Sequence, residues 1–240
     1  MGRLVPVKYT SVEGIRFYFL RQGSPPQFPE VLSKQGVEFH EKVASVSGET
    51  AIDVGANIGS YTLRLARRFR LVFAFEPNPL VSRVLRINVA ANKFTNIRVH
   101  EVALSDKSGF LPFYLDSRGE GHSSLNPHHY DAKYDVVKQV NVMKLDEFLN
   151  DIGRVDFVKV DAEGFELQIL KGARRLIDRF RPILAIEVHC LRVPKLNHSC
   201  SCDTCSLLVG SDYDVEVIGE SRSMGPVHWT WAIPVFPRSL

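Results

Sequence analysis

The chain of 240 residues is poor in cysteine, and the four cysteines it has crowd between Cys190 and Cys205. A secreted scaffold held by disulfides spreads its cysteines through the chain, so that class is set aside. No apolar run approaches the ~20 residues that cross a bilayer. An excess of one charge is also missing: 30 Lys and Arg against 27 Asp and Glu leave a net charge of +3. That balance is too mild to argue for a nucleic-acid partner by itself. The N-terminus lacks the basic, apolar, small-residue order of a secretory signal. These absences lead to the expectation of a cytoplasmic protein with no transmembrane segment and no clear nucleic-acid partner. What is present is a 45% hydrophobic composition, enough to bury one substantial core. We expect an extension over 1–47 and a main domain over 48–240.

The extension reads as two short strands around Glu13-Gly14, a proline-rich loop from Gly23 to Pro29, and a helix from Val31 to Val46. From Thr50 onward, strand and helix alternate. The strands are Thr50–Val54, Leu71–Glu76 and Ile97–Val102; the helices are Tyr61–Phe69 and Pro79–Asn92. A strand pair is expected around Lys107-Ser108-Gly109, with a polar loop from Ser117 to Asn126 over the crevice. A short strand at Val140–Val142 and a short helix at Leu145–Asn150 follow. Then come a buried strand at Asp156–Val160, helical pieces from Phe165 to Phe180, and a strand at Pro182–Val188. An antiparallel pair, Tyr213–Ile218 with Val227–Val235, ends the chain. Alternation of this kind predicts an α/β protein with a mostly parallel sheet and ligands at the carboxyl ends of its strands.

The rest is arranged around Asp53-Val54-Gly55-Ala56-Asn57-Ile58-Gly59. A strand runs into a glycine turn at a helix start, where backbone N–H groups face a crevice. Asp53 at that position would repel a pyrophosphate and suits a cationic ligand. The turn also lacks the Gly-x-Gly-x-x-Gly of a dinucleotide site. Glu76 lies about 20 residues beyond the first glycine, the distance at which an acid meets ribose hydroxyls. The competing reading is a surface glutamate before the turn proline Pro77. Asp161-Ala162-Glu163-Gly164 and Glu187-Val188-His189 end two later strands and face the same crevice.

These stretches, with Phe75-Glu76-Pro77, Ala103-Leu104-Ser105-Asp106 and Lys159 to Glu166, resemble the FkbM family of S-adenosylmethionine-dependent methyltransferases. The resemblance runs from about Gly48 to His189. It implies a class I methyltransferase fold, Rossmann-like and doubly wound: a seven-stranded, mostly parallel sheet with an antiparallel last strand. Here the sheet would carry a small N-terminal hairpin and helix cap. It also implies transfer of a methyl group to a hydroxyl of a small molecule, usually a sugar or glycoconjugate. On that reading Gly55 and Gly59 pass beneath the methionine part of S-adenosyl-L-methionine, Asp53 balances its amino group, and Asn57 meets its carboxylate. Glu76, beside Pro77, takes the ribose, and the segment holding Ala103 lies near the adenine. The candidates for base or divalent-cation ligand are Asp161, Glu163, Glu187 and His189. His189 comes first because its ordinary pKa suits neutral pH; Asp161 comes next, and also borders the cofactor. His189 as a hydrogen-bonded strand-end histidine and Glu163 as a helix N-terminal carboxylate remain the plain alternatives. Nitrogen methyltransferases usually carry Asn/Asp-Pro-Pro-aromatic after the fourth strand, and Asp161-Ala162-Glu163-Gly164 stands there instead. Oxygen is therefore the expected acceptor. RNA methylation and an inactive cofactor-binding module are the rivals. The arginines Arg64, Arg67, Arg68 and Arg70, and Arg174, Arg175, Arg179 and Arg181, read as solvated helix faces rather than a phosphate track.

The segment His198-Ser199-Cys200-Ser201-Cys202-Asp203-Thr204-Cys205 departs from the family pattern. His198, Cys200, Cys202 and Cys205 are candidate ligands of a structural zinc. Uncombined thiols, or a disulfide such as Cys200 to Cys205, are the alternatives.

Overall fold

A computed structural model describes residues 6–10, 13–20, 34–116, 123–127, 134–189, 202–221 and 227–235. The continuous apolar runs of the sequence become central strands because both of their faces are covered. β3 (Gly48–Val54), β4 (Phe69–Phe75) and β9 (Phe157–Val160) are buried through their inner residues. With β5 (Ile97–His100), β10 (Ile183–His189), β11 (Tyr213–Ser221) and β12 (Val227–Pro234) they form a seven-stranded sheet in the order β11-β12-β10-β9-β3-β4-β5. The sheet is mixed. β5, β4, β3, β9 and β10 pair in parallel, while β12 runs antiparallel to both β10 and β11.

Alternate residues of each strand serve opposite layers. Ile52, Val54, Phe73, Phe75, Val158, Val160 and Ile186 pack with Ile169, Leu170, Leu176 and Ile177 of α4 (Glu166–Gly172) and α5 (Arg174–Phe180). Ala51, Val72, Phe157 and Ala185 pack with Phe39 and Val43 of α1 (Lys34–Ser45), Leu65 of α2 (Thr62–Leu65), Trp229 and Trp231. The chain leaves the centre from β3 toward β4 and β5, then returns on the other side of β3 as β9. The carboxyl ends of β3 and β9 are therefore where the strand order reverses, the place in an open α/β sheet where a crevice forms.

The N-terminal hairpin, β1 (Pro6–Thr10) with β2 (Arg16–Leu20), is antiparallel. It is fastened to α3 (Pro79–Ala91) and the residue after it by two asparagine amides that copy a strand partner. Asn88 Oδ1 accepts from Tyr18 N–H at 2.6 Å and its Nδ2 donates to Tyr18 O and to Ile58 O. Asn92 does the same for Arg16, at 2.9 and 2.7 Å. Because Ile58 belongs to the glycine turn, the hairpin supports that turn from behind.

Several elements differ from the sequence reading. α2 is a single turn, because Phe69 does not continue a helical stripe but pairs with Gly48 at the start of β4. The segments around Lys107-Ser108-Gly109 do not pair with each other. β6 (Ala103–Leu104) runs parallel to β8 (Tyr134–Met143), and β7 (Gly109–Asp116) runs antiparallel to that same strand, giving a side sheet β6-β8-β7. The strand seen only as Val140–Val142 is thus ten residues long. Leu145–Phe148 is a 3₁₀ turn, and a helix, α6 (Asp203–Val209), occupies part of the cysteine segment. Arg64 is buried rather than solvated, with Nε donating to Glu13 at 2.8 Å and its guanidinium over the Phe17 ring. Among the described residues no helix is long and apolar enough to cross a membrane.

Candidate active site

The cleft opens at the carboxyl ends of β3, β4 and β9. It encloses about 660 Å³ with the open space at its mouth included, and is lined by the glycine turn, Glu76, Pro77, Val102 to Leu104, and Asp161 to Glu163. Phe75, Phe113, Leu125, Phe165 and Ile169 supply apolar wall, and Ser123 is the polar member of the loop side. Residues 117–122 of the expected loop lie outside the described residues.

The floor requires glycine. Gly55 has φ +71°, and a Cβ built there would stand 1.7 Å from the Asp161 carbonyl oxygen. Asp161 N–H donates to Val54 O, and the N–H groups of Gly55 and Ala56 both donate to Phe75 O. Three strands are thus knotted together at one point. Gly59, at φ +99°, lets the turn press against Leu85, where a Cβ would meet its Cδ1 at 2.6 Å.

Glu76 ends β4 with its carboxylate held by backbone. Oε2 accepts from Asn57 N–H at 2.9 Å and Oε1 from Asn78 N–H at 2.8 Å. Each oxygen retains lone-pair capacity toward the cleft. Burial pushes this carboxyl up to about 7, with the two N–H donors pulling the other way. Asn57 sits at φ 49°, a conformation asparagine tolerates, and its own Oδ1 accepts from Ile58 N–H.

Asp53 does not line the cleft. It is fully buried beneath it. Thr62 Oγ1 donates to Asp53 Oδ2 at 2.6 Å, and Lys159 Nζ lies 3.6 Å from Oδ1. Lys159 is the residue sequence reasoning passed over. A cation in the middle of the apolar strand Phe157-Val158-Lys159-Val160 was the available signal. Its side chain is 2% exposed, lies 3.3 Å from Asp161 Oδ2 and 3.4 Å from Gly55 O, and stands over the Tyr61 ring. Burial opposes its charge, but Asp161 and Asp53 outweigh that and hold it protonated.

Asp161 and Glu163 border the cleft, and His189 stands behind them. Its Nδ1 lies 2.9 Å from Glu166 Oε1, and its Nε2 lies 3.4 Å from Glu163 Oε2 and 4.0 Å from Glu187 Oε1. Burial alone would lower the imidazole pKa. Glu166 and Glu163 reverse that and raise it well above the usual value. The ring is therefore held protonated, the reverse of what a neutral general base needs. Burial, then Asp161, pushes Glu187 up to about 8. Burial also raises Asp161, against the pull of Lys159. Glu166 was a second missed residue. Nearly buried, it accepts from Ala162 N–H, Gly164 N–H and the His189 ring, and so fixes the turn that aims Glu163. Glu163 at φ 51° and Gly164 at φ 93° are consecutive left-handed residues. Ser124 Oγ ties the turn to the loop side by donating to Glu163 O. Asp161, Glu163 and His189 each offer one ligand atom within 4.8 Å of the others.

Of the expected site residues, Gly55, Asn57, Glu76, Pro77, Ala103, Asp161 and Glu163 line one cleft, while Asp53, Gly59 and His189 support it from behind. Cys202 and Cys205 lie elsewhere, beside His228; Cys200 and His198 fall outside the described residues.

The strand order and this cleft define an α/β protein of the methyltransferase type. A methyltransferase FkbM domain matches residues 53–201, more than half of the chain. The chain belongs to the FkbM methyltransferase family. Similar proteins include the 2-O-methyltransferase NoeI of Sinorhizobium fredii, 25% identical over 65% of this chain and 72% of that protein. The hexuronic acid methyltransferase AglP of Haloferax volcanii is 30% identical over 60% of this chain and 57% of that one. The crystal structure of methyltransferase FkbM from Methylobacillus flagellatus shares the fold, with a TM-score of 0.51 and 22% identity over 77% of this chain and 43% of that one. The chain spans 59% and 57% of the first two curated relatives it matches.

Proposed function

We infer that residues 48–240 form a class I, doubly wound S-adenosyl-L-methionine-dependent O-methyltransferase domain and that residues 1–47 are a supporting extension. The observation that carries this reading is the cleft itself. Three carboxylates line it, Glu76, Asp161 and Glu163, with no Lys or Arg among the described residues of its lining. That lining suits a cationic sulfonium and repels a pyrophosphate. The apolar wall of Phe75, Val102, Ala103 and Leu104 fits an adenine, and the fixed Glu76 carboxylate fits a vicinal diol.

When bound, the cofactor supplies an activated methyl group for in-line displacement by an acceptor oxygen. The residues of the chain orient the acceptor, exclude water and remove its proton. Asp161 and Glu163 border the cleft and take that proton role. His189, held protonated by Glu166 and Glu163, positions and balances them rather than acting as the neutral base. With His189 deprotonated, the same three side chains would form a donor set for a divalent cation, which when bound would make an acceptor hydroxyl more acidic. Acceptor chemistry follows the relatives: NoeI is a 2-O-methyltransferase and AglP acts on a hexuronic acid. A carbohydrate or glycoconjugate hydroxyl is the substrate class we assign.

Calorimetry with S-adenosylhomocysteine, and transfer of labelled methyl to carbohydrate and glycolipid extracts, test this reading. Asp161→Asn should lower turnover by roughly 10²- to 10⁴-fold while changing S-adenosylhomocysteine affinity only a few-fold. Loss of turnover on adding EDTA, restored by a divalent cation, selects the metal-assisted form. Absence of binding at millimolar ligand would overturn the assignment.

A further inference from the structure

The molecule holds a second group of metal-ligating side chains, outside the cleft. Cys202 stands at the N-cap of α6, Cys205 lies within the first turn of that helix, and His228 projects from β12. Cys205 Sγ is 3.5 Å from His228 Nε2, and Cys202 Sγ is 3.9 Å from the same nitrogen. The three ligand atoms all lie within 4.8 Å of one another. Around a tetrahedral zinc with Zn–S of about 2.3 Å and Zn–N of about 2.0 Å, neighbouring sulfur and nitrogen atoms stand about 3.5 Å apart. The two sulfur–nitrogen separations are at or near that spacing. Cys205 N–H donates to Cys202 Sγ at 3.5 Å, the kind of amide contact that supports a thiolate. Cys205 and His228 are each 1% exposed.

We propose that Cys202, Cys205 and His228 are three ligands of a structural zinc ion, with a fourth donor completing the tetrahedron. Two soft thiolates and one imidazole select zinc over the hard cations that an oxygen-rich cluster holds. Zinc carries two positive charges and the two thiolates carry two negative ones, so the ion and the three named ligands together are neutral, which eases their burial. The candidacy of Cys202 and Cys205, with Cys200 and His198, was readable in the sequence. His228 was not, because sheet register brings it to the cysteines. It pairs with Val188, the residue before His189. The ion therefore pins α6 to β12, and through β12 to the carboxyl end of β10 where the Glu166–His189 contact forms. It is a brace for that wall, separate from the methyl chemistry.

The test uses the full chain, purified without a histidine tag or chelator from zinc-supplemented cells. Elemental analysis should give one zinc per chain. Cobalt exchanged into the unmodified protein should show a thiolate-to-cobalt charge-transfer band and the intense visible bands of a tetrahedral site. The Asp161–Glu163–His189 cluster has no sulfur and cannot produce the first of these. Cys205→Ser and His228→Gln should each lose the zinc and the charge-transfer band. If those variants fail to fold, the cobalt spectrum of the unmodified protein still decides. Zinc well below stoichiometry with no charge-transfer band overturns the proposal. So does a Cys202–Cys205 disulfide found by mass spectrometry in protein purified under reducing conditions.

Discussion

On the β3–β4 side of the cleft, backbone makes the site. Two N–H groups hold the Glu76 carboxylate, and the turn beneath it exists because Gly55 and Gly59 occupy conformations that a side chain would block. On the β9–β10 side, charge makes the site. Lys159 stands between Asp53 and Asp161, and Glu166 and Glu163 hold His189 as a cation. A backbone-made site tolerates no change of shape, whereas a charge-made site tolerates shape changes that preserve its balance. The two sides should therefore fail differently when altered.

The largest effect is expected from Gly55→Ala. The new Cβ would overlap the Asp161 carbonyl, which is backbone and cannot swing aside, at a φ of +71° that alanine resists. The joint between β3, β4 and β9 would have to open, at a cost of more than about 4 kcal/mol. Thermal unfolding and soluble yield measure it. A variant that melts within a few degrees of the parent would show that the turn is less constrained than its geometry states.

Lys159→Met comes next and probes the charge-made side. Methionine fills most of the volume but leaves Asp53 and Asp161 facing each other across a buried gap. Removing one partner of a buried ion pair costs about 3 kcal/mol or more. Adding Asp53→Asn removes one of the stranded charges and should recover a large part of that loss. A double variant no more stable than the single one would mean that Lys159 acts by packing alone. Denaturant titration of the parent, both single variants and the double variant gives the coupling directly.

The same division governs what was legible in the sequence. The glycine turn and Glu76 could be read because their partners are local or a fixed distance along one strand–helix–strand unit. The hold on Glu76 itself was less legible: Asn78 lies two residues on, but Asn57 is 19 residues away and reaches Glu76 through the parallel pairing of β3 with β4. The charge-made side was only half readable. Asp161, Glu163 and His189 stood out by type, but the direction of the His189 pKa depends on Glu166 and Glu163, which the start of α4 and the turn before it bring to the ring. Lys159 was harder to read because its one signal, a cation inside an apolar strand, also fits a strand residue facing solvent. β8 was cut short for a similar reason: Val137, Lys138 and Gln139 are exposed and do not extend the apolar alternation of Val140–Val142. His228 required the β10–β12 register, which no local pattern contains.

The smallest expected effect, and the one that separates recognition from stability on the backbone-made side, is Glu76→Gln. Burial raises the folded-state pKa of Glu76 to about 7 from 4.5. The folded state therefore binds more protons than the unfolded one between those values. The stability that Glu76 contributes is full below about pH 4.5 and is lost as pH rises through about 7. Glutamine removes that slope, so the stability–pH curve of the variant should be flatter across the window. Ligand affinity should run the other way. Only the ionised carboxylate accepts from both hydroxyls of a diol, so S-adenosylhomocysteine binding to the parent should strengthen as pH rises through 7. The variant should lose about 1–2 kcal/mol of that binding above pH 8, a factor of roughly 5 to 30, and show little pH dependence. Opposite slopes for stability and affinity in the parent, both abolished by one substitution, would assign Glu76 to the ligand. A variant that flattens stability but leaves affinity unchanged would reduce Glu76 to a buried brace for Asn57 and Asn78.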